Sequence, residues 1–142
     1  MKVKNEFRMT VESRSVNESF VRSTVAAFAS QLDPTVEEIA DIKTAVSEAV
    51  TNCIVHAYKE CVGKIYIYAA LNDESIIRVS IRDRGCGIED IKKAREPLFT
   101  TLGGERAGLG FAVMESFTDK LIVRSKPGKG TTGTMIKKIG GR

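Results

Sequence analysis

Phe7, Met9 and Val11 alternate with Arg8, Thr10 and Glu12, the period-two signature of a half-buried strand. Ser-Arg-Ser-Val-Asn breaks that rhythm. From Val16 to Leu32 the apolar residues Val16, Phe20, Val21, Val25, Phe28 and Leu32 return at helical spacing, with Ser15 placed as N-cap and Arg22 and Gln31 off the stripe. Asp33-Pro34 ends this helix, and Thr35-x-x-Glu38 has the form of a capping box that opens the next.

That second helix, over Asp41 to Lys59, carries two patterns at once. Ile42, Val46, Ala49, Val50, Cys53 and Ile54 recur at three- and four-residue spacing and face a core, while Glu48, Asn52 and His56 recur every four residues. Each four-residue step drifts by roughly 40° on a helix of 3.6 residues per turn, so the three polar groups form one slanting stripe beside the apolar one. Taken alone, such a stripe reads first as the solvated flank of an ordinary helix.

Further on, Lys64 to Leu71 and Ile76 to Arg82 alternate and are rich in β-branched residues, with Asn72-Asp73-Glu74-Ser75 between them as a hairpin turn. A short helical piece is expected from Glu89 to Arg95, ended by Pro97. Phe99 to Arg106 has no periodicity and reads as a mobile loop. Ala107-Gly108-Leu109-Gly110-Phe111 opens a helix reaching about Phe117, and Leu121 to Ser125 with Thr131 to Ile139 form a closing hairpin. The fold class that follows is α+β, a two-layer α/β sandwich with a mostly antiparallel sheet and the helices on one face.

Composition narrows the function classes. The 142 residues fit one domain, and 42% hydrophobic with 28% charged residues is ordinary for a globular chain. The net charge of +4 suits an anionic ligand or partner, but no basic run interleaves with aromatics, so direct nucleic-acid binding is not expected. Cys53, Cys61 and Cys86 contain no CxxC pair and only one His accompanies them, which speaks for reduced thiols and against structural zinc. Neither a signal-peptide core nor an apolar run of spanning length occurs, so a cytoplasmic protein with no membrane partner is expected.

Three glycine motifs follow the polar helix. Asp83-x-Gly85-x-Gly87 ends a strand: it is either a glycine turn with Asp fixing its own backbone, or a site where an acceptor-only carboxylate takes an exocyclic amine while the glycines admit the ring. Gly108-Leu109-Gly110 stands at a helix entry, where free N–H groups meet phosphates or where tight packing requires glycine. Gly128-x-Gly130-Thr131-Thr132 is a hairpin turn by default.

The set Glu48-Ala-Val-Thr-Asn52, Asp83-Arg-Gly-Cys-Gly87, Gly108-Leu-Gly110 and Gly128-Lys-Gly-Thr131 resembles the ordered boxes of the ATPase/kinase superfamily that includes gyrase, the Hsp90 chaperone, histidine kinases and MutL. With the Asn17-Glu-Ser-Phe-Val-Arg22 helix and Pro97-Leu-Phe-Thr-Thr101, it is similar to the anti-sigma serine kinases of sporulation, over roughly residues 7 to 138. The resemblance implies a Bergerat-type ATP-binding fold over residues 1–142, ATP or ADP with Mg²⁺ as cofactors, a sigma factor and a serine-bearing anti-anti-sigma protein as partners, and a homodimer. It assigns Glu48 as general base, Asn52 as magnesium ligand and Asp83 as adenine reader. Gly85 and Gly87 fall beside the base, Thr100, Thr101, Gly108, Leu109 and Gly110 at the phosphates, Thr131 or Thr134 at the adenine side, and Arg22 on the partner surface. Compared with the family pattern, the lid Leu102-Gly-Gly-Glu-Arg-Ala-Gly-Leu-Gly110 is one residue shorter and lacks a lysine after the paired threonines. A nucleotide-dependent sigma-binding module without transfer, and a detached histidine-kinase catalytic domain, are the alternatives.

Overall fold

The computed structural model describes residues 2–58, 61–85 and 104–140, with the backbone alone for 104–109. Strand β1 (Asn5–Glu12) is followed by helix α1 (Val16–Ala29), which tightens into a 3₁₀ turn at Ser30–Leu32. Asp33 ends it in the left-handed region at φ 51°. Ser15 stands at the N-cap as expected, but its backbone is already helical and its side chain makes no capping bond; Asn17 Nδ2 instead donates to the Glu12 carbonyl at 2.9 Å. Helix α2 (Val36–Asn52) starts on the expected capping box: Glu38 N–H donates to Thr35 Oγ1 at 3.1 Å and Thr35 N–H to Glu38 Oε1 at 2.8 Å.

The α-helical ladder of α2 stops at Asn52. Cys53–Ala57 form a π turn, closed by Tyr58 N–H donating to the Cys53 carbonyl at 3.1 Å. The continuous helix to Lys59 expected from the sequence is therefore corrected, and His56 leaves the four-residue rhythm of Glu48 and Asn52.

Strands β2 (Lys64–Leu71) and β3 (Ile76–Arg82) match their expected limits. Asn72 Oδ1 forms the turn between them by accepting from the N–H groups of Glu74 and Ile76 at 3.0 and 3.1 Å. Helix α3 runs from Gly104 to Ser116, three residues ahead of the expected start, so the segment read as loop gives up its last residues to the helix. The helical piece expected at Glu89–Arg95 lies outside the described residues. Strands β4 (Lys120–Lys126) and β5 (Gly130–Lys138) close the fold, and the sheet order is β1-β2-β3-β5-β4, antiparallel throughout.

Strand alternation divides the sheet into two faces. Ile65, Ile67, Ala69, Ile77, Val79, Ile81 and Met135 meet Val21, Val25, Val46 and Val50 of α1 and α2 in one buried cluster. On the opposite face Arg8 stacks 4.5 Å from the Tyr68 ring, and Arg82 and Arg84 at 5.5 and 5.0 Å from that of Tyr66. Val16 and Phe20, expected on the apolar stripe of α1, are instead 76% and 55% exposed, because α2 covers only the Val21 and Val25 side. No helix among the described residues is long and apolar enough to cross a membrane.

The capping box generates a direct test. Thr35→Ala leaves the Glu38 N–H without its side-chain acceptor, and the expected loss is about 1 kcal/mol of unfolding free energy, read from the urea midpoint. An unmoved midpoint contradicts a role for the cap in holding α2.

Candidate functional site

The sheet face that carries the helices ends, at the start of β5, in a polar corner. Asp83 directly follows β3, is 5% exposed, and points to the helix side because Ile81 does. Its Oδ1 accepts two backbone bonds, from Gly85 N–H at 2.9 Å and Thr131 N–H at 3.1 Å. Its Oδ2 accepts the Cys53 thiol, with Sγ at 3.6 Å. Burial raises the Asp83 carboxyl above its ordinary range, opposed by the Gly85 and Thr131 amides and by the thiol. Burial also pushes the Cys53 thiol well up, and the Asp83 charge adds to it, so this sulfur is an S–H donor.

Two glycines permit the corner to close. A Cβ on Gly130 would meet the Asp83 carbonyl at 2.2 Å, and one on Gly85 would meet the Ala57 carbonyl at 2.4 Å. The approach that Gly85 allows is thus to the π turn, which carries Cys53 to the carboxylate from the other side. Tyr58 fastens the same turn: its hydroxyl donates to the Lys64 carbonyl and accepts from Arg84 N–H, both at 2.7 Å.

Asn52, at the last position of α2, occupies a singular environment. Its Oδ1 and Nδ2 are buried and find no hydrogen-bond partner among the described residues. A Cβ on Gly110 of α3 would stand 2.8 Å from that Oδ1, so Gly110 is what leaves room for the amide. An unpaired buried amide costs about 1–3 kcal/mol, which favours a ligand as its partner. The oxygen is a neutral hard donor of the kind that Mg²⁺ accepts together with phosphate oxygens and water. Glu48, one turn earlier, is half-buried and its carboxylate has no ion pair or hydrogen bond among the described residues.

Asn52, Asp83, Gly85, Gly110 and Thr131 are therefore brought together, with Glu48 one helical turn away. Between the two candidate hydroxyls, Thr131 lies beside Asp83, its Oγ1 2.8 Å from Ser125 Oγ, whereas Thr134 is on the far face of the sheet, 3.0 Å from Ser80 Oγ. Gly108 and Leu109 lie within α3, so the free amides of its first turn are those of residues 104–107 and not the expected ones. Gly87, Thr100 and Thr101 fall outside the described residues. Arg22 is elsewhere, on α1, 3.7 Å from Glu18, whose carboxylate accepts from Ser47 Oγ of α2. Cys53 and Tyr58 were not legible as site residues: the first reads as core, and the partners of the second are distant in sequence.

The histidine kinase-like ATPase domain family model matches residues 10–137. The chain belongs to that family. Among curated relatives, the chain is 58% identical over 141 residues to an anti-sigma F factor of Caldanaerobacter subterraneus, covering 99% of this chain and 98% of that one. It is 50% identical over 139 residues to an anti-sigma F factor of Bacillus subtilis, covering 96% and 94%. Its fold is shared with the RsbU and RsbW domains of a Mycobacterium tuberculosis protein, at TM-score 0.70 and 23% identity over 96% of this chain and 33% of that one. A blue-light activated histidine kinase of Erythrobacter litoralis shares it in its kinase domain, at TM-score 0.59 and 20% identity, covering 86% and 61%.

The buried carboxylate has a pH signature. With its folded pKa above the unfolded value, the folded state takes up the proton more readily, so its stability falls as pH rises between those two values and the cost of the charge is complete above them. Asp83→Asn removes that charge and keeps an acceptor for Gly85 and Thr131. The ligand-free variant is expected to be at least as stable as wild type near neutral pH, with the difference shrinking toward about pH 4. Denaturation at the two pH values checks this; a variant less stable at neutral pH contradicts a destabilising charge at Asp83.

Proposed function

We propose that this chain is a serine protein kinase that is also an anti-sigma factor. It binds ATP and Mg²⁺, holds a sporulation-type sigma factor, and phosphorylates a serine on an anti-anti-sigma protein. The observation that carries this reading is the buried, unpartnered amide of Asn52 one turn after Glu48, in a chain 58% identical to an anti-sigma F factor.

Each residue has a distinct task. Asp83 accepts the 6-amino group of adenine, and Thr131, whose N–H fixes that carboxylate, stands at the same edge of the base. Asn52 Oδ1 would hold the cation, with Gly110 keeping the space in front of that oxygen. When bound, Mg²⁺ neutralises charge on the phosphates. Glu48 orients the attacking serine hydroxyl and accepts its proton, a task that suits a carboxylate with no competing partner among the described residues. Phosphoryl transfer asks little covalent chemistry of the protein, so positioning and this proton acceptor account for the residues required.

Arg22 on α1 meets the protein partners, with the exposed Phe20 on the same helix. Nucleotide state biases which partner is held, to the extent that each complex prefers ATP or ADP. The chain acts in the cytoplasm as a homodimer, as its resemblance to the anti-sigma kinases implies.

The test is transfer of labelled phosphate from ATP to the serine of the cognate anti-anti-sigma protein. Glu48→Ala is expected to lower the transfer rate by about 10²-fold or more while ATP stays bound, and the product is expected to survive acid as phosphoserine does. Unchanged transfer in the variant removes Glu48 as base. Absence of transfer in wild type leaves a nucleotide-dependent sigma-binding module, and an acid-labile product points to a histidine acceptor.

A further inference from the structure

The two oxygens of Asp83 answer to different parts of the fold. Oδ1 is taken by two backbone donors of the glycine turn and β5, whereas Oδ2 receives the Cys53 thiol. The two bonds at Oδ1 restrain the terminal torsion of the aspartate, which is otherwise broad. A donor on the second oxygen restrains it further and fills one of that oxygen's acceptor directions. Cys53 is 4% exposed and is the first residue of the π turn, so the wide turn sets the thiol against the carboxylate across a sequence distance of 30 residues.

A carboxylate has about four acceptor directions. With two used at Oδ1 and one at Oδ2, one direction on Oδ2 remains for a ligand. We propose that Cys53 is a positioning residue for base recognition, its thiol holding Asp83 Oδ2 in the orientation that accepts the 6-amino group of adenine. This rests on the reading of Asp83 as adenine acceptor. The sulfur itself does not touch the nucleotide.

The experiment compares dissociation constants for ATP and for purine riboside triphosphate, which has the same triphosphate but lacks the 6-amino group, in wild type, Cys53→Ala and Cys53→Ser. Wild type prefers ATP. Cys53→Ala is expected to lose about two- to tenfold of that preference, all of it through weaker ATP binding, with purine riboside triphosphate bound as before. Cys53→Ser, which keeps a donor, restores part of the preference. Equal weakening of both nucleotides in Cys53→Ala, or an unchanged ratio, overturns the proposal, because a packing role does not distinguish the two bases. No preference in wild type overturns the reading of Asp83 itself, and the positioning role with it.

Discussion

The carboxylate of Asp83 joins three parts of the chain at one point. Gly85 comes from the turn after β3, Thr131 from the start of β5, and Cys53 from the π turn that ends α2, and each donates to the same side chain. Removing a charged group from water is costly, and its raised pKa is the sign that these donors offset only part of that cost. Gly130 and Gly85 lie in close contact with the Asp83 carbonyl and with Ala57, so the backbone has been brought as near as it can be. A larger residue at either position would spread the corner and release the carboxylate.

A second unfavourable feature lies beside the first. The amide of Asn52 is buried without a partner among the described residues, and Gly110 of α3 is what keeps it from being covered by a side chain. Proteins retain such groups where a ligand meets them, because an apolar replacement of similar shape would otherwise be neutral or favourable. In the function proposed above the two features serve one ligand, the carboxylate at the sheet for its base and the amide at the helix for the cation on its phosphates. The hydrophobic face of α2, with Val46 and Val50 buried, fixes the distance between them by anchoring the helix to the sheet.

Much of the fold was legible because local pattern and tertiary environment agree. The runs Lys64–Leu71 and Ile76–Arg82 alternate cleanly and are strands over those limits, and Thr35 with Glu38 forms the box its spacing implies. The start of α3 was not legible, since Gly104 and Gly108 each lower helix propensity by about 1 kcal/mol relative to alanine and the helix forms through them all the same. The π turn leaves no rhythm in five residues, so continuity past Asn52 was the natural expectation. Asn52, Asp83, Gly85 and Gly110, which the sequence singled out, are brought together, whereas the thiol beside Asp83 was not legible, because cysteine on an apolar stripe reads as core. The choice between Thr131 and Thr134 needed the register of β5 against β3, which pairs Thr134 with Ser80 and leaves Thr131 beside Asp83.

We propose that the Asn52 amide is kept for a ligand at the expense of the ligand-free fold. Thermal unfolding of wild type and Asn52→Ala, each with and without ATP and Mg²⁺, measures both sides of it. The expected result is a ligand-free variant that melts no lower than wild type but has lost the upward shift that the ligands give wild type. A variant that melts lower without ligand and keeps the full shift would contradict it, and would make Asn52 a residue of the fold alone.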